Sequence, residues 1–219
     1  MHSSAFSPIV AFFISQGIPV ETIKLILMLP IIATFIAFLR QVVGVKAFGI
    51  YTPLLITFAF LATNGLKYGI AIFVTVIVVG MLMRFALRPF RLLYLPRVAI
   101  MLSVVALAIL LMLTLGGSVK RTGLAAVSIF PILIMITLVE KFVAVQIEKG
   151  NRTAVILTLE TLAISIVGYF IASWPWLINF ILDYPWMILL TLPVNILLGK
   201  WTGLRITEYL RFKNIINEL

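Results

Sequence analysis

The chain contains no cysteine. Disulfides, thiolate metal sites and a cysteine nucleophile are therefore excluded. The single histidine is His2, at an end expected to fray, so histidine catalysis and histidine-cluster metal sites are not expected. Charge is scarce. Only 11% of residues are Asp, Glu, Lys or Arg, and only seven of those are acidic. No Ser–His–Asp set, HExxH, Walker loop or GxGxxG occurs, so neither an enzymatic activity nor a cofactor is expected. No polar stretch is long enough to form a second, soluble domain. No cleavable signal peptide is evident. The N-terminus lacks a basic n-region, and its first apolar stretch is broken by Pro8 and Pro19.

What the sequence has in abundance is apolar surface. It is 63% hydrophobic, with a mean hydropathy of +1.22. A soluble fold of 219 residues could not hide so much apolar area from water. A spanning helix needs roughly 20 apolar residues, and that ruler gives seven spans: 25–39, 48–62, 68–83, 98–115, 124–139, 153–172 and 185–198. Pro30, Pro53, Pro131 and Pro193 fall inside them. Ser4 to Gly17 and the Trp174–Tyr184 stretch, with Trp174, Trp176 and Tyr184, read as interfacial. The expectation is an all-α integral membrane protein: a seven-helix bundle with short, Pro-broken helices. It forms one domain over 1–219, with an outer or interfacial segment at 1–24, spans within 25–199 and a tail at 200–219. The tail reads as an amphipathic helix, with Ile206, Leu210 and Ile215 apolar against Arg205, Glu208, Arg211 and Lys213.

The net charge is +10. In a soluble protein this would suggest nucleic acid, but here the basic residues sit beside apolar spans, which points to anionic lipid instead. With seven spans and an outer N-terminus, the inner gaps hold Arg40, Lys46, Arg84, Arg88, Arg91, Arg97, Lys141, Lys149, Arg152, Lys200, Arg205, Arg211 and Lys213. The outer gaps hold only Lys24, Lys67, Lys120 and Arg121. The positive-inside rule then predicts an outside N-terminus and a cytoplasmic C-terminus in a bacterial inner membrane.

A weak internal echo links Gly49-Ile-Tyr-Thr-Pro53 with Ser128-Ile-Phe-Pro131. If spans one to three and four to six are repeats, the second is inverted, a plan in which broken helices mark a binding site. Gly44, Gly49 and Pro53 make the second span hard to form as one regular helix. Such backbone must be buried in protein or line a cavity.

Glu160 is the sharpest single residue. It lies about 10 Å inside the sixth span at about 1.5 Å per residue. A carboxylate there is costly, on the order of 2.5–3.5 kcal/mol at a helix centre. The residues stacked on its face, Ile156, Leu157, Ala163 and Ile164, are apolar, so a partner must come from another segment or from water. It reads either as a proton or substrate site or as a packing hydrogen bond. Glu140 and Lys141 are placed at the inner end of the fifth span, as an ion pair or a gate. Glu160, Glu140, Gly49, Pro53 and Pro131 are thus the candidate pathway residues. Arg84, Arg88, Arg91 and Arg97 form a connector with four arginines and no acid, either a lipid anchor or a docking patch for an acidic cytoplasmic partner. Asn195 is a lone polar residue in the seventh span.

Arg40-Gln-Val-Val-Gly44-Val-Lys-Ala-Phe-Gly49-Ile-Tyr-Thr-Pro53, Ala59-Phe-Leu-Ala-Thr63 with Gly69, Leu92-Leu-Tyr-Leu-Pro96-Arg97, Phe130-Pro131-Ile-Leu-Ile, Glu140-Lys141 and Arg205-Ile-Thr-Glu208-Tyr-Leu-Arg211-Phe occur in that order. Together they resemble a bacterial family of seven-transmembrane domains. Those domains are usually fused to, or encoded beside, an inactive transglutaminase-like domain, with an ATP-grasp ligase nearby. A fainter likeness ties the two Gly-to-Pro stretches to the small membrane subunit of poly-γ-glutamate synthase. The transglutaminase-like part is not in this sequence, which reads as a fragment or a stand-alone partner. The resemblance implies an outside N-terminus and partnership with a ligase and a transglutaminase-like protein. Three functions are open: a conduit or transporter for a ligase product, a scaffold anchoring ligase and transglutaminase-like domain, and a seven-helix sensor. A homo-oligomer is compatible with each.

Overall fold

In the computed structural model, residues 7–63, 65–90, 93–118, 129–201 and 203 are described. Among them the chain is helical, without strands. The elements are α1 (Pro8–Ser15), α2 (Val20–Phe38) continuing into a π-helical turn (Leu39–Val43), α3 (Tyr51–Ala62), α4 (Leu66–Leu87), α5 (Tyr94–Ser118), α6 (Ile129–Lys149), α7 (Asn151–Ala172), α8 (Pro175–Asp183), a 3₁₀ segment (Pro185–Leu190) and α9 (Thr191–Gly199). Five helical stretches are long and apolar enough to cross a membrane: Val20–Val43, Leu66–Leu87, Tyr94–Leu115, Ile129–Lys149 and Asn151–Ala172. A short apolar helix, Tyr51–Ala62, and the pair Pro175–Asp183 and Pro185–Gly199, bent by 100°, complete the apolar passages. Arg91, Lys120, Arg121, His2 and the tail beyond Gly203 lie outside the described residues.

The prolines act mainly as helix openers. Pro53, Pro96, Pro131 and Pro193 are each the third residue of their helix, and Pro8 and Pro175 are the first. In a first turn the missing N–H has no intrahelical acceptor to lose, and the fixed φ suits the helix. The expected break inside span two is therefore a helix start, whereas Pro193 follows the 3₁₀ segment directly, inside the passage Pro185–Gly199. Pro30 is truly interior to α2, where Thr34 Oγ1 donates to the Pro30 carbonyl at 2.7 Å. The fifth span is also longer than expected. Its helix runs to Lys149, so Glu140 and Lys141 sit in mid-helix. Both are exposed, and no ion pair joins them. Adjacent residues on a helix do not face each other.

The chain forms two compact units: 47–169, and a second built from 1–46 with 170–219. In the second, α2 packs against α8 and α9, and Val10, Ile23 and Leu182 are buried together. The Asn195 amide donates to Thr34 Oγ1 at 2.7 Å and to the Thr191 carbonyl at 2.8 Å, the interhelical bond expected of a lone polar residue. On α8, Trp176 stacks on Phe180 (centroids 5.4 Å apart) and Phe180 meets Tyr184, a largely exposed aromatic ridge.

In the central unit, Ile56, Phe60, Phe73, Met101, Met135 and Phe142 fill a core shared by α3 to α6. Lipid tails are as apolar as these side chains, so close packing rather than water exclusion holds the helices. Small residues permit it. A methyl on Gly69 would come within 2.5 Å of the Phe60 ring, and one on Gly168 within 2.6 Å of Thr57 Oγ1.

Helix directions follow from the contacts. Ala47 pairs with Glu160, Pro53 with Ser165 and Thr57 with Gly168, so α3 and α7 run parallel. α6 and α7 are successive spans joined by Gly150 alone, and past the Gly65 turn Gly69 of α4 packs back on Phe60 of α3, so each pair reverses direction. Hence α4 and α6 run parallel to each other and antiparallel to α3. α3 and α6 pack on one another in opposite directions.

Candidate functional site

The short second passage begins as irregular backbone. Gly44 takes a left-handed conformation (φ 92°) and closes the π-helical turn. Ala47 also has a positive φ, +32°, unusual for a residue with a Cβ, and Gly49 follows at +77°. Helix α3 starts only at Tyr51. Its 12 residues span about 18 Å, well short of the hydrocarbon thickness of about 30 Å. The amides of the connector therefore need acceptors supplied by protein.

α7 supplies them. The Ala47 N–H donates to the Glu160 carboxylate at 3.0 Å, and the Phe48 N–H donates to Thr161 Oγ1 at 3.0 Å. Thr161 in turn donates to the Leu157 carbonyl at 2.7 Å. One turn further on, the Pro53 carbonyl lies 3.1 Å from Ser165 Oγ and 2.8 Å from Thr57 Oγ1. Thr57, Thr161 and Ser165 are fully buried, and Glu160 is partly buried. The result is a polar seam, Glu160–Thr161–Ser165 on α7 against 47–57, ending where Gly168 lets Thr57 approach.

Glu160, Gly49 and Pro53 are thus brought together. Pro131 and Glu140 lie on α6, Pro131 buried near its start and Glu140 exposed, and neither shares a hydrogen bond with the seam. Thr161, Ser165 and Gly168 were missed as partners of the second span. Their spacing of i, i+4 and i+7, small or hydroxylated, is the signature of a close helix contact.

The second concentration of polar groups is at one end of the central unit. Arg84, Arg88, Arg97, Lys149 and Arg152 all lie toward the end where α4 and α6 finish and α5 and α7 begin. Among the described cations of the central unit, Lys67 lies toward the other end and Lys141 in mid-helix. Arg88, Lys141, Lys149 and Arg152 are exposed, while Arg84 and Arg97 are partly buried. Arg84 is within electrostatic reach of Arg97 and Arg88. Among the described residues there is no group of His, Cys, Asp and Glu able to hold a metal ion.

Long apolar helices, a short passage with its irregular backbone satisfied by a neighbouring helix, and cations gathered at one end define a multi-pass helical membrane protein. A family profile described as seven transmembrane helices usually fused to an inactive transglutaminase matches residues 3–216, and the chain belongs to that family. Neither a curated protein nor a solved structure matches the chain.

Proposed function

We propose that this protein is a non-catalytic membrane scaffold of a bacterial peptide or poly-amino-acid system. In this reading it sits in the inner membrane with its N-terminus outside and the cationic end of its central unit in the cytoplasm. That end docks an ATP-grasp ligase, and the opposite face carries a transglutaminase-like domain. The observation that carries the reading is the group of exposed cations, Arg88, Lys149 and Arg152, at one end of a unit whose buried Thr57, Thr161 and Ser165 hold its own backbone. Exposed cations of this kind steer and orient acidic partners. The test is co-purification of the ligase from native membranes with wild type and with Arg88→Glu/Lys149→Glu. Loss of the ligase from the variant is expected, and undiminished capture counts against the docking surface.

A conduit for the ligase product is the second reading. It is favoured by the polar seam at Glu160, which lies beside irregular backbone as transporter sites do. Glu160→Gln would then abolish product export while assembly persists. Normal export by that variant removes Glu160 from any pathway.

A further inference from the structure

α4 and α6 pack side by side, and a methyl on Gly80 would touch Val139 at 3.4 Å. That contact fixes which residues face the seam between them. Arg84 is four residues beyond Gly80, and Gln146 is seven beyond Val139. Both steps return to the same face of a 3.6-residue helix. Since α4 and α6 run parallel, the two side chains enter one seam at heights of about 6 Å and about 10 Å beyond the contact, about one turn apart. Each is unsatisfied there. Gln146 is 1% exposed, and neither its amide nitrogen nor its amide oxygen has a partner among the described residues. Arg84 Nη1 is likewise buried without one. The cost of an orphaned buried polar atom is of order 1–3 kcal/mol, more for a charged group, so three in one seam call for a shared ligand.

The chemistry of the three atoms specifies it. Arg84 Nη1 and Gln146 Nε2 are donors and require an acceptor, and the nearby charges of Arg88 and Arg97 require that acceptor to be anionic. Gln146 Oε1 requires a donor. A phosphodiester carrying a hydroxyl meets both needs. Exposed Phe90 and Leu93 lie between α4 and α5 and Leu95 in the first turn of α5, Leu93 and Leu95 at 80% and 77%, and they offer apolar surface beside the arginines for acyl chains. We infer that the α4–α6 seam binds the headgroup of an anionic, hydroxyl-bearing phospholipid such as phosphatidylglycerol, with its phosphate on Arg84 and its hydroxyl on Gln146. Its contacts, Arg84 and Gln146, are not among the exposed cations invoked for partner docking, although the charge of one of those, Arg88, reaches Arg84.

Native mass spectrometry of the full chain in detergent tests it, with phosphatidylglycerol, phosphatidylcholine or glycerol 3-phosphate added at equal concentration. Wild type should retain phosphatidylglycerol at least about tenfold better than phosphatidylcholine, the effect of one charge-assisted hydrogen bond. Gln146→Leu, which keeps the side-chain volume, and Arg84→Gln should each remove most of that preference. Equal retention of the two lipids by wild type overturns the inference without recourse to any variant. So does an unchanged preference in a variant that elutes as wild type does on gel filtration. Displacement of the lipid by glycerol 3-phosphate would reassign the site to a soluble phosphate ester and refute the lipid.

Discussion

Glu160→Ala removes the acceptor of the Ala47 amide and leaves that N–H unpaired on irregular backbone at membrane depth. Hydrogen bonds to charged groups contribute about 1.5–3 kcal/mol in soluble proteins. Interhelical bonds in membrane proteins average about 0.6 and reach about 1.7 kcal/mol, because the unfolded chain in lipid also finds partners. The Glu160 bond belongs at the upper end of the membrane range, since the amide it satisfies has no helical neighbour to turn to. A loss of about 1–2 kcal/mol follows. For a chain of this size each kcal/mol shifts the unfolding midpoint by about 2–4 °C, so Tm in detergent micelles should fall by about 2–8 °C. Glu160→Gln keeps an oxygen in the same place and takes the charge assistance from this bond, roughly half its strength. Its Tm should lie nearer wild type than alanine. The measurement is thermal unfolding of both variants, followed by helical circular dichroism or by loss of the monodisperse gel-filtration peak. An alanine variant within about 1 °C of wild type would refute the clasp. Glutamine and alanine falling equally would show that the charge matters and the acceptor does not.

Other consequences of the same geometry can be measured in the same way. Gly168→Ala should destabilise by about 1–3 kcal/mol, because its methyl meets a Thr57 hydroxyl already tied to the Pro53 carbonyl. Adding Thr57→Ala should recover part of that loss, and a strictly additive double variant would contradict the contact. Ala47→Gly should raise Tm slightly, by relieving a positive φ that a Cβ disfavours; a fall in Tm would mean the conformation is not strained. Asn195→Leu, of similar volume, should lower Tm by the equivalent of about 0.6–1.7 kcal/mol through loss of the bond to Thr34; no change would show the bond adds nothing to stability.

The membrane helices were legible because hydropathy over about 20 residues is set by lipid thickness and needs no partner. The prolines were misread for a physical reason. A proline in the first turn and one in the middle of a helix look alike until the helix start is known, and the start here is set by connectors with few polar residues. Pro53 opens α3 because 44–50 cannot be helical, with Gly44 and Gly49 left-handed, a property written in backbone angles. Glu160 was visible as an anomaly, yet its partner was not. The donor is the main chain of Ala47, and an amide has no signature among apolar side chains. Gln146 was hidden in another way. It lies past Val139, where the apolar run is interrupted by Glu140–Lys141, and only the continuation of α6 to Lys149 turns it inward.

The choice of a glutamate at 160 follows from the same frame. Two successive amides, of Ala47 and Phe48, are served by two successive side chains, of Glu160 and Thr161. Successive residues on a helix point about 100° apart, so both cannot face the connector squarely. Thr161 does: it is fully buried, and its short hydroxyl reaches Phe48 directly. Glu160 is turned toward the edge of the contact and is only partly buried, so its oxygen must reach back across the helix surface. Length therefore matters as much as charge. Glu160→Asp keeps the charge and shortens the reach by one carbon–carbon bond, about 1.5 Å. That would stretch a 3.0 Å bond beyond hydrogen-bonding distance unless the connector follows. The aspartate variant should therefore lose nearly as much stability as alanine, and more than glutamine. If aspartate instead matches wild type, the connector is free to move toward α7, and the 47–49 backbone is not held in its strained conformation by this carboxylate.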